Sequence, residues 1–225
     1  RLPDLAPTFM EIGGTQPPAG LYGRSLVNIL RSEQSGQIEA DRTWVITGRE
    51  RHVEDARSGY LPYPMRALRT KDFVYIRNFA PDRSPMGDPK EALNPKVASA
   101  NVLENNTRIG FADMDGSPTK AWLIANRELP QWQWHYGLAF GNRPGEELYD
   151  LRADPDQVKN VAGNPAYAKT LAEMSSRLMT MLTEAKDPRV TGDGKTFDRP
   201  PFSGPIVEVE SARSVRKKAA TKKAK

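Results

Sequence analysis

The sequence predicts an α+β fold, a small antiparallel sheet packed against a long amphipathic helix. Three observations carry that expectation. Short β-rich runs fall between residues 43 and 79 and again near 147–151, and the second and third are separated only by a charged turn, the signature of an antiparallel hairpin. Residues 164–185 repeat apolar side chains at helical spacing over several turns. Finally, 225 residues with 38% hydrophobic and 27% charged side chains suffice for one domain or one and a half.

Taken in chain order, "PDLAPTFMEIGG" reads as a short helix. Asp4 is placed to cap it, Pro7 sits early enough to be tolerated, and Leu5, Phe9 and Ile12 share a face. Gly13 and Gly14 stop it. A Pro-rich turn leads to "SLVNILRS", a second short helix expected to bury Leu26, Ile29 and Leu30, and then to the polar linker "SEQSGQIEADR". "TWVIT", "PMRALRT" and "FVYIRNF" are the first three strands. In the last of these Phe73, Tyr75, Arg77 and Phe79 line one face and Val74 and Ile76 the other, which calls for cover on both sides.

Residues 80–145 are an irregular, Pro-, Gly- and Asn-rich excursion of the kind that builds a binding surface or wraps a neighbour. One helix is expected in it, at "SPTKAWLIAN", with Ser117 as the cap and Pro118 as the first helical residue. The aromatic cluster "QWQWHYG" is expected to pack beneath a loop. Glu147–Leu151 form a fourth strand. Asn164 and Pro165 then open the long helix, whose stripe is Tyr167, Leu171, Met174, Leu178, Met181, Leu182 and Ala185, and Pro188 ends it. From Val190 onward little packed structure is expected apart from "PIVEV".

Composition excludes several functions. No run of 18 apolar residues is present, so no membrane-spanning helix is expected. The pI near 9.4 is misleading, because residues 211–225 hold seven Lys or Arg and no acid, which leaves 26 basic against 28 acidic residues elsewhere. A nucleic-acid partner is therefore not expected. Without cysteine there is no disulfide, thiolate metal site or cysteine nucleophile within these residues. No Ser-His-acid spacing or Gly-rich phosphate loop occurs. "ADMDGS", around Asp113 and Asp115, has the first acids of a calcium loop, but its glycine comes too early and the bidentate glutamate is missing, so it reads as a turn.

The chemistry-bearing combination is "ITGRERH" followed by "YPMRALRT". Guanidinium groups at Arg49 and Arg51 match the oxygens of sulfate, phosphate or carboxylate, and His52 offers an imidazole to a leaving oxygen or a sugar hydroxyl. The competing reading is a solvated loop in which Glu50 pairs with a neighbouring arginine.

"DLAPTFMEIGGTQPPAGLYGRSL", the "GRERH" to "YPMRALRTKDFVYIRNF" stretch, and "ELYDLRADPDQVKNVAGNPAYA" together resemble the C-terminal region of the type I sulfatases over residues 2–188. The histidine loop ahead of "YPMRALR" is most similar to the heparan N-sulfatase branch and its bacterial relatives. The resemblance implies the C-terminal subdomain of an alkaline-phosphatase-like fold. Residues 1–32 would end the large catalytic domain, 43–188 would form the subdomain, and 189–225 would be an extended basic tail.

It also implies hydrolysis of sulfate esters or sulfamates on a glycan, with a formylglycine and a calcium ion as cofactors and a periplasmic or extracellular setting. The family's nucleophile motif, Cys or Ser, any residue, Pro, any residue, Arg, is not met: Ser203 and Pro205 are followed by Val207. Nor does the pair Thr47-Gly48 continue that motif, since Ile38 and Ala40 stand where nucleophile and proline belong. No catalytic residue or metal ligand is thus expected in this chain, and the cofactors are expected in an N-terminal part that precedes Arg1. The resemblance assigns His52 to substrate contact at the pocket rim, with Arg51, Arg49 and then Arg66 as further candidates. Two alternatives stay open, a phosphodiesterase or phosphonate hydrolase of the same superfamily and a non-catalytic module that binds sulfated glycans.

Overall fold

A computed structural model describes residues 2–200. The "PIVEV" run at 205–209 and the basic stretch 211–225 lie outside the described residues. The chain divides into two compact units that interleave in sequence. One comprises Arg1–Arg49, Pro64–Pro81 and Arg143–Met181; the other comprises Glu50–Tyr63, Asp82–Asn142 and the described part of Leu182–Lys225. We refer to them as the sheet unit and the loop unit.

The sheet unit contains α1 (Leu5–Ile12), α2 (Val27–Arg31) and a four-stranded antiparallel sheet of β1 (Trp44–Arg49), β2 (Met65–Thr70), β3 (Phe73–Asn78) and β4 (Glu146–Asp150), in that spatial order. The register places Ile46 opposite Leu68, Leu68 opposite Tyr75, and Tyr75 opposite Leu148. Leu68, Tyr75 and Leu148 are fully buried, so this row is the centre of the unit. The long helix α6 (Ala168–Glu184) starts in the sheet unit, where its Met174 and Leu178 are buried as the apolar stripe requires. The Tyr75 hydroxyl donates to Glu146 at 2.6 Å and accepts from the hydroxyl of Ser175 in this helix at 3.0 Å. An α+β architecture with an antiparallel sheet and a long amphipathic helix is therefore what the strand and helix patterns lead one to expect.

The two N-terminal helices form where expected, but α1 leaves its apolar face of Leu5, Phe9 and Ile12 exposed, and at α2 Leu26 and Ile29 are half-buried while Leu30 is exposed. Phe9 is 65% exposed, Ile12 62% and Leu30 68%, while Val27, Pro7 and Thr8 are buried. Asp4 does not cap α1 with its side chain. It is itself buried, and accepts the Arg24 backbone N–H at 2.9 Å and Arg42 Nη1 at 3.3 Å. Thr8 reinforces the arrangement by donating to the Asp4 carbonyl and accepting from the Leu26 N–H. Buried polar groups need such partners.

The loop unit contains α3 (Ala100–Asn105), α4 (Pro118–Ala125), α5 (Pro130–Phe140) and the short α7 (Pro188–Thr191). α4 begins as its sequence dictates, with Ser117 accepting the Lys120 N–H at 3.2 Å and Pro118 in the first turn. Ala92, Ala98, Leu103, Phe111, Ala121, Ile124 and Phe140 form its apolar core. "QWQWHYG" lies in α5, which was not expected to be helical. The cluster divides: Tyr136 packs against the core, with its ring 5.1 Å from that of Phe140, whereas Trp134 is 56% exposed. The expectation that these aromatics all pack is therefore corrected. Residues 188–198 are more structured than their composition predicts: Asp187 caps α7 by accepting the Arg189 N–H, and Arg189 is buried.

A candidate substrate-contacting loop

The four residues singled out from the sequence divide between the units. Arg49 and Arg66 belong to the sheet unit, Arg51 and His52 to the loop unit.

In the sheet unit Gly48 stands opposite Arg66. A Cβ at Gly48 would lie 2.7 Å from Arg66 Cδ, so the glycine lets the arginine stem cross the neighbouring strand. The Arg66 guanidinium then donates to the carbonyls of Met65 at 2.9 Å and Arg49 at 3.4 Å, and the residue is buried. These bonds bind strand ends together. They give Gly48 and the arginine of "PMRALR" a part in the strand pairing.

In the loop unit, residues 50–63 are held by side chains rather than by a ladder. Arg51 donates from Nε to the Tyr60 carbonyl at 3.0 Å, again from Nη2 to the same oxygen, and from Nη2 to the Phe197 carbonyl at 3.3 Å. Burial pushes its guanidinium pKa below the usual value, with Asp198 and Glu50 opposing. Glu50 pairs with Arg189 through contacts of 2.5 to 3.1 Å. Asp198 receives Arg189 at 2.7 Å and Arg83 at 2.6 Å, and Arg83 also reaches the Pro62 carbonyl.

Asp113 closes the loop from the other side. Its side chain is fully buried; Oδ1 accepts the Val53 N–H at 2.8 Å and Oδ2 accepts Arg57 Nη2 at 2.7 Å. Arg57 is buried as well, donating to the Ser84 and Pro85 carbonyls at 2.7 and 2.8 Å, with Tyr63's ring 5.5 Å away. A second clasp runs through Asp88, which accepts the Ser58 N–H and donates its own N–H to the Ala56 carbonyl. Between these clasps Gly87 turns with φ of 95°, where a side chain would be strained and a Cβ would press within 3.0 Å of the Ala56 carbonyl.

His52 sits on this framework with its side chain 62% exposed and Nδ1 3.8 Å from Asp113 Oδ1. Of the two loop-unit candidates, His52 presents its ring outward while Arg51 serves as a clasp. Asp113 was read as part of a turn, and its contact to Val53 sixty residues upstream leaves no trace in local spacing.

The cofactors implied by the resemblance do not fit these residues. Among the described residues no group of three or more His, Cys, Asp or Glu side chains could hold a metal ion. Asp113, the leading acid of "ADMDGS", already uses both oxygens on Val53 and Arg57.

No protein-family model matches the chain. Among curated relatives, an ulvan-active sulfatase of Formosa agariphila is 28% identical over 189 residues, covering 82% of this chain and 25% of the relative. Human N-sulphoglucosamine sulphohydrolase is 23% identical over 189 residues, covering 83% and 33%. A delta 4,5-hexuronate-2-O-sulfatase of Bacteroides thetaiotaomicron reaches 43% identity over 58 residues, 26% of this chain and 11% of the relative. Two solved structures, one of a complex with D-glucosamine-2-N,6-O-disulfate and one of a 2-O GAG sulfatase, give TM-scores of 0.47 and 0.45 at 19% and 22% identity. They cover 84% and 90% of this chain and 25% and 30% of theirs. The α+β assignment rests on the chain's own sheet and helices. Over most of its length the chain is similar to sulfatases, and it spans between a quarter and a third of the relatives matched to that extent.

Proposed function

We propose that the chain is the C-terminal portion of a glycan sulfatase, one that hydrolyses sulfate esters or sulfamates, and that its residue 50–63 loop brings His52 to the rim of the substrate pocket. The observation that carries this reading is the similarity to sulfatases over four fifths of the chain. The outward His52 on a loop held by buried ion pairs supports a contact role, since a binding group is most effective when its support is rigid.

In this reading formylglycine and calcium reside in a preceding catalytic domain, of which residues 1–32 form the last piece, and residues 43–188 form the subdomain. Apolar side chains left open on α1 and α2, Phe9, Ile12 and Leu30, support such a neighbour. The setting is periplasmic or extracellular, as for an enzyme acting on a polymeric glycan.

The test is sulfate release from sulfated oligosaccharides by a protein that joins the upstream coding sequence to this chain, compared with the chain alone. Release by the longer protein, weakened by His52→Ala, is the expected result; phosphate release instead, or turnover by the chain alone, would overturn the reading. A second reading, a glycan-binding module without catalysis, draws on one observation: Trp122 and Trp134 are more than half exposed, offering flat apolar faces to sugar rings. Binding of sulfated glycans by the chain alone, lost on Trp134→Ala and kept on His52→Ala, would favour it.

A further inference from the structure

His52 and Asp113 form a pair whose members differ sharply in environment. The carboxylate is fully buried and held by Val53 and Arg57, while the imidazole is mostly in solvent. A carboxylate fixed on both oxygens cannot move toward solvent, so the pair's geometry is set by the buried partner. The 3.8 Å separation is too long for a direct hydrogen bond but within reach of charge attraction and of one bridging water. The nitrogen facing the carboxylate is Nδ1, and negative charge there favours a proton on that nitrogen.

We propose that Asp113 is a positioning residue for His52, holding the neutral imidazole in its Nδ1–H form so that Nε2 accepts a hydrogen bond from a saccharide hydroxyl. The inference rests on His52 contacting substrate, and it deepens that reading by giving the contact a polarity. An imidazole with Nε2 as acceptor reads a hydroxyl and not a sulfate oxygen, which has no proton to donate. Val53 and Arg57 belong to the same device, because they hold both carboxylate oxygens in place beside the ring.

Long-range nitrogen–proton correlation spectra of the 225-residue chain test the tautomer directly, with no ligand present. Only two histidines contribute, and a His135→Gln variant assigns them. In the neutral ring, His52 is expected to be mainly Nδ1–H, and Asp113→Asn is expected to shift it toward the Nε2–H form that predominates in free imidazole side chains. A wild-type spectrum dominated by Nε2–H would overturn the inference, whether or not the Asn variant folds.

In the longer protein, Asp113→Asn is expected to lower kcat/KM for a sulfated disaccharide by about threefold to tenfold, mostly through KM. That loss should vanish in a His52→Ala background, since residues acting through one another are not additive. An undiminished loss in that background would assign Asp113 to folding alone and overturn the inference. Absence of sulfate release altogether, with the Nδ1–H form present, would instead count against the sulfatase reading.

Discussion

The two units reach stability by different chemistry. The sheet unit places Leu68, Tyr75 and Leu148 in one cross-strand row with no exposure at all, and its strand backbone groups pair with each other. The loop unit has an alanine-rich apolar core and long connections whose carbonyls and N–H groups meet side chains instead: Arg51 on Tyr60, Arg57 on Ser84 and Pro85, Asp113 on Val53, Asp88 on Ser58. Irregular backbone must find such partners when it is buried. The difference teaches that arginine and aspartate in a loop need not be ligand groups; here most of them are the scaffold, and one histidine is what the scaffold presents.

If this contrast holds, the loop unit should fail on removal of a charge. Arg57→Ala leaves the buried Asp113 carboxylate without its ion-pair partner and is expected to destabilise by about 3–5 kcal/mol in urea denaturation. A loss below about 1 kcal/mol would mean the ion pairs are incidental. The sheet unit should fail on removal of volume, and Leu148→Ala is expected to cost about 2–5 kcal/mol by the same measurement.

Lys120 gives a pH test that reads the loop unit alone. It is buried in α4 with Nζ donating to the carbonyls of Met114 at 2.8 Å and of Thr107 and Phe111 at 3.2 Å. Burial pushes its pKa down to about 8, with Asp115 opposing. Between pH about 8 and its ordinary value of 10.5 the unfolded chain keeps a proton that the folded state has released, so this group makes folding more favourable as pH rises through that window. The stability of wild type relative to Lys120→Met should therefore climb there, by at most about 1.4 kcal/mol per pH unit. A flat difference would show that the three carbonyls retain the ammonium. The smallest effect is expected at the presented residue itself: His52→Ala should change stability by less than about 0.5 kcal/mol, as for an exposed side chain away from caps and core.

Much of the fold was legible because it is written locally. Alternating runs gave β2 and β3, Ser117 and Pro118 gave the start of α4, and the stripe through Met174 and Leu178 gave α6. α5 was not legible, because Trp132, Trp134, Tyr136 and Leu138 recur at every second position and imitate a strand. The exposure of Phe9, Ile12 and Leu30 was not legible either; periodicity marks an apolar face but does not say whether this chain covers it. At the site, His52 stood out as one of two histidines in a charged loop. The sequence could not separate it from Arg51, whose guanidinium turned out to bind the Tyr60 carbonyl.

By itself, then, the sequence determined the elements, the sheet's alternation and the resemblance to sulfatases, since each depends on residues a few positions apart or on collinear motifs. Tertiary structure alone decided what Asp113, Glu50 and Arg189 do. Glu50 meets Arg189 across 139 positions and Asp113 meets Arg57 across 56, and a contact at that separation is a property of the folded path, which no local spacing encodes.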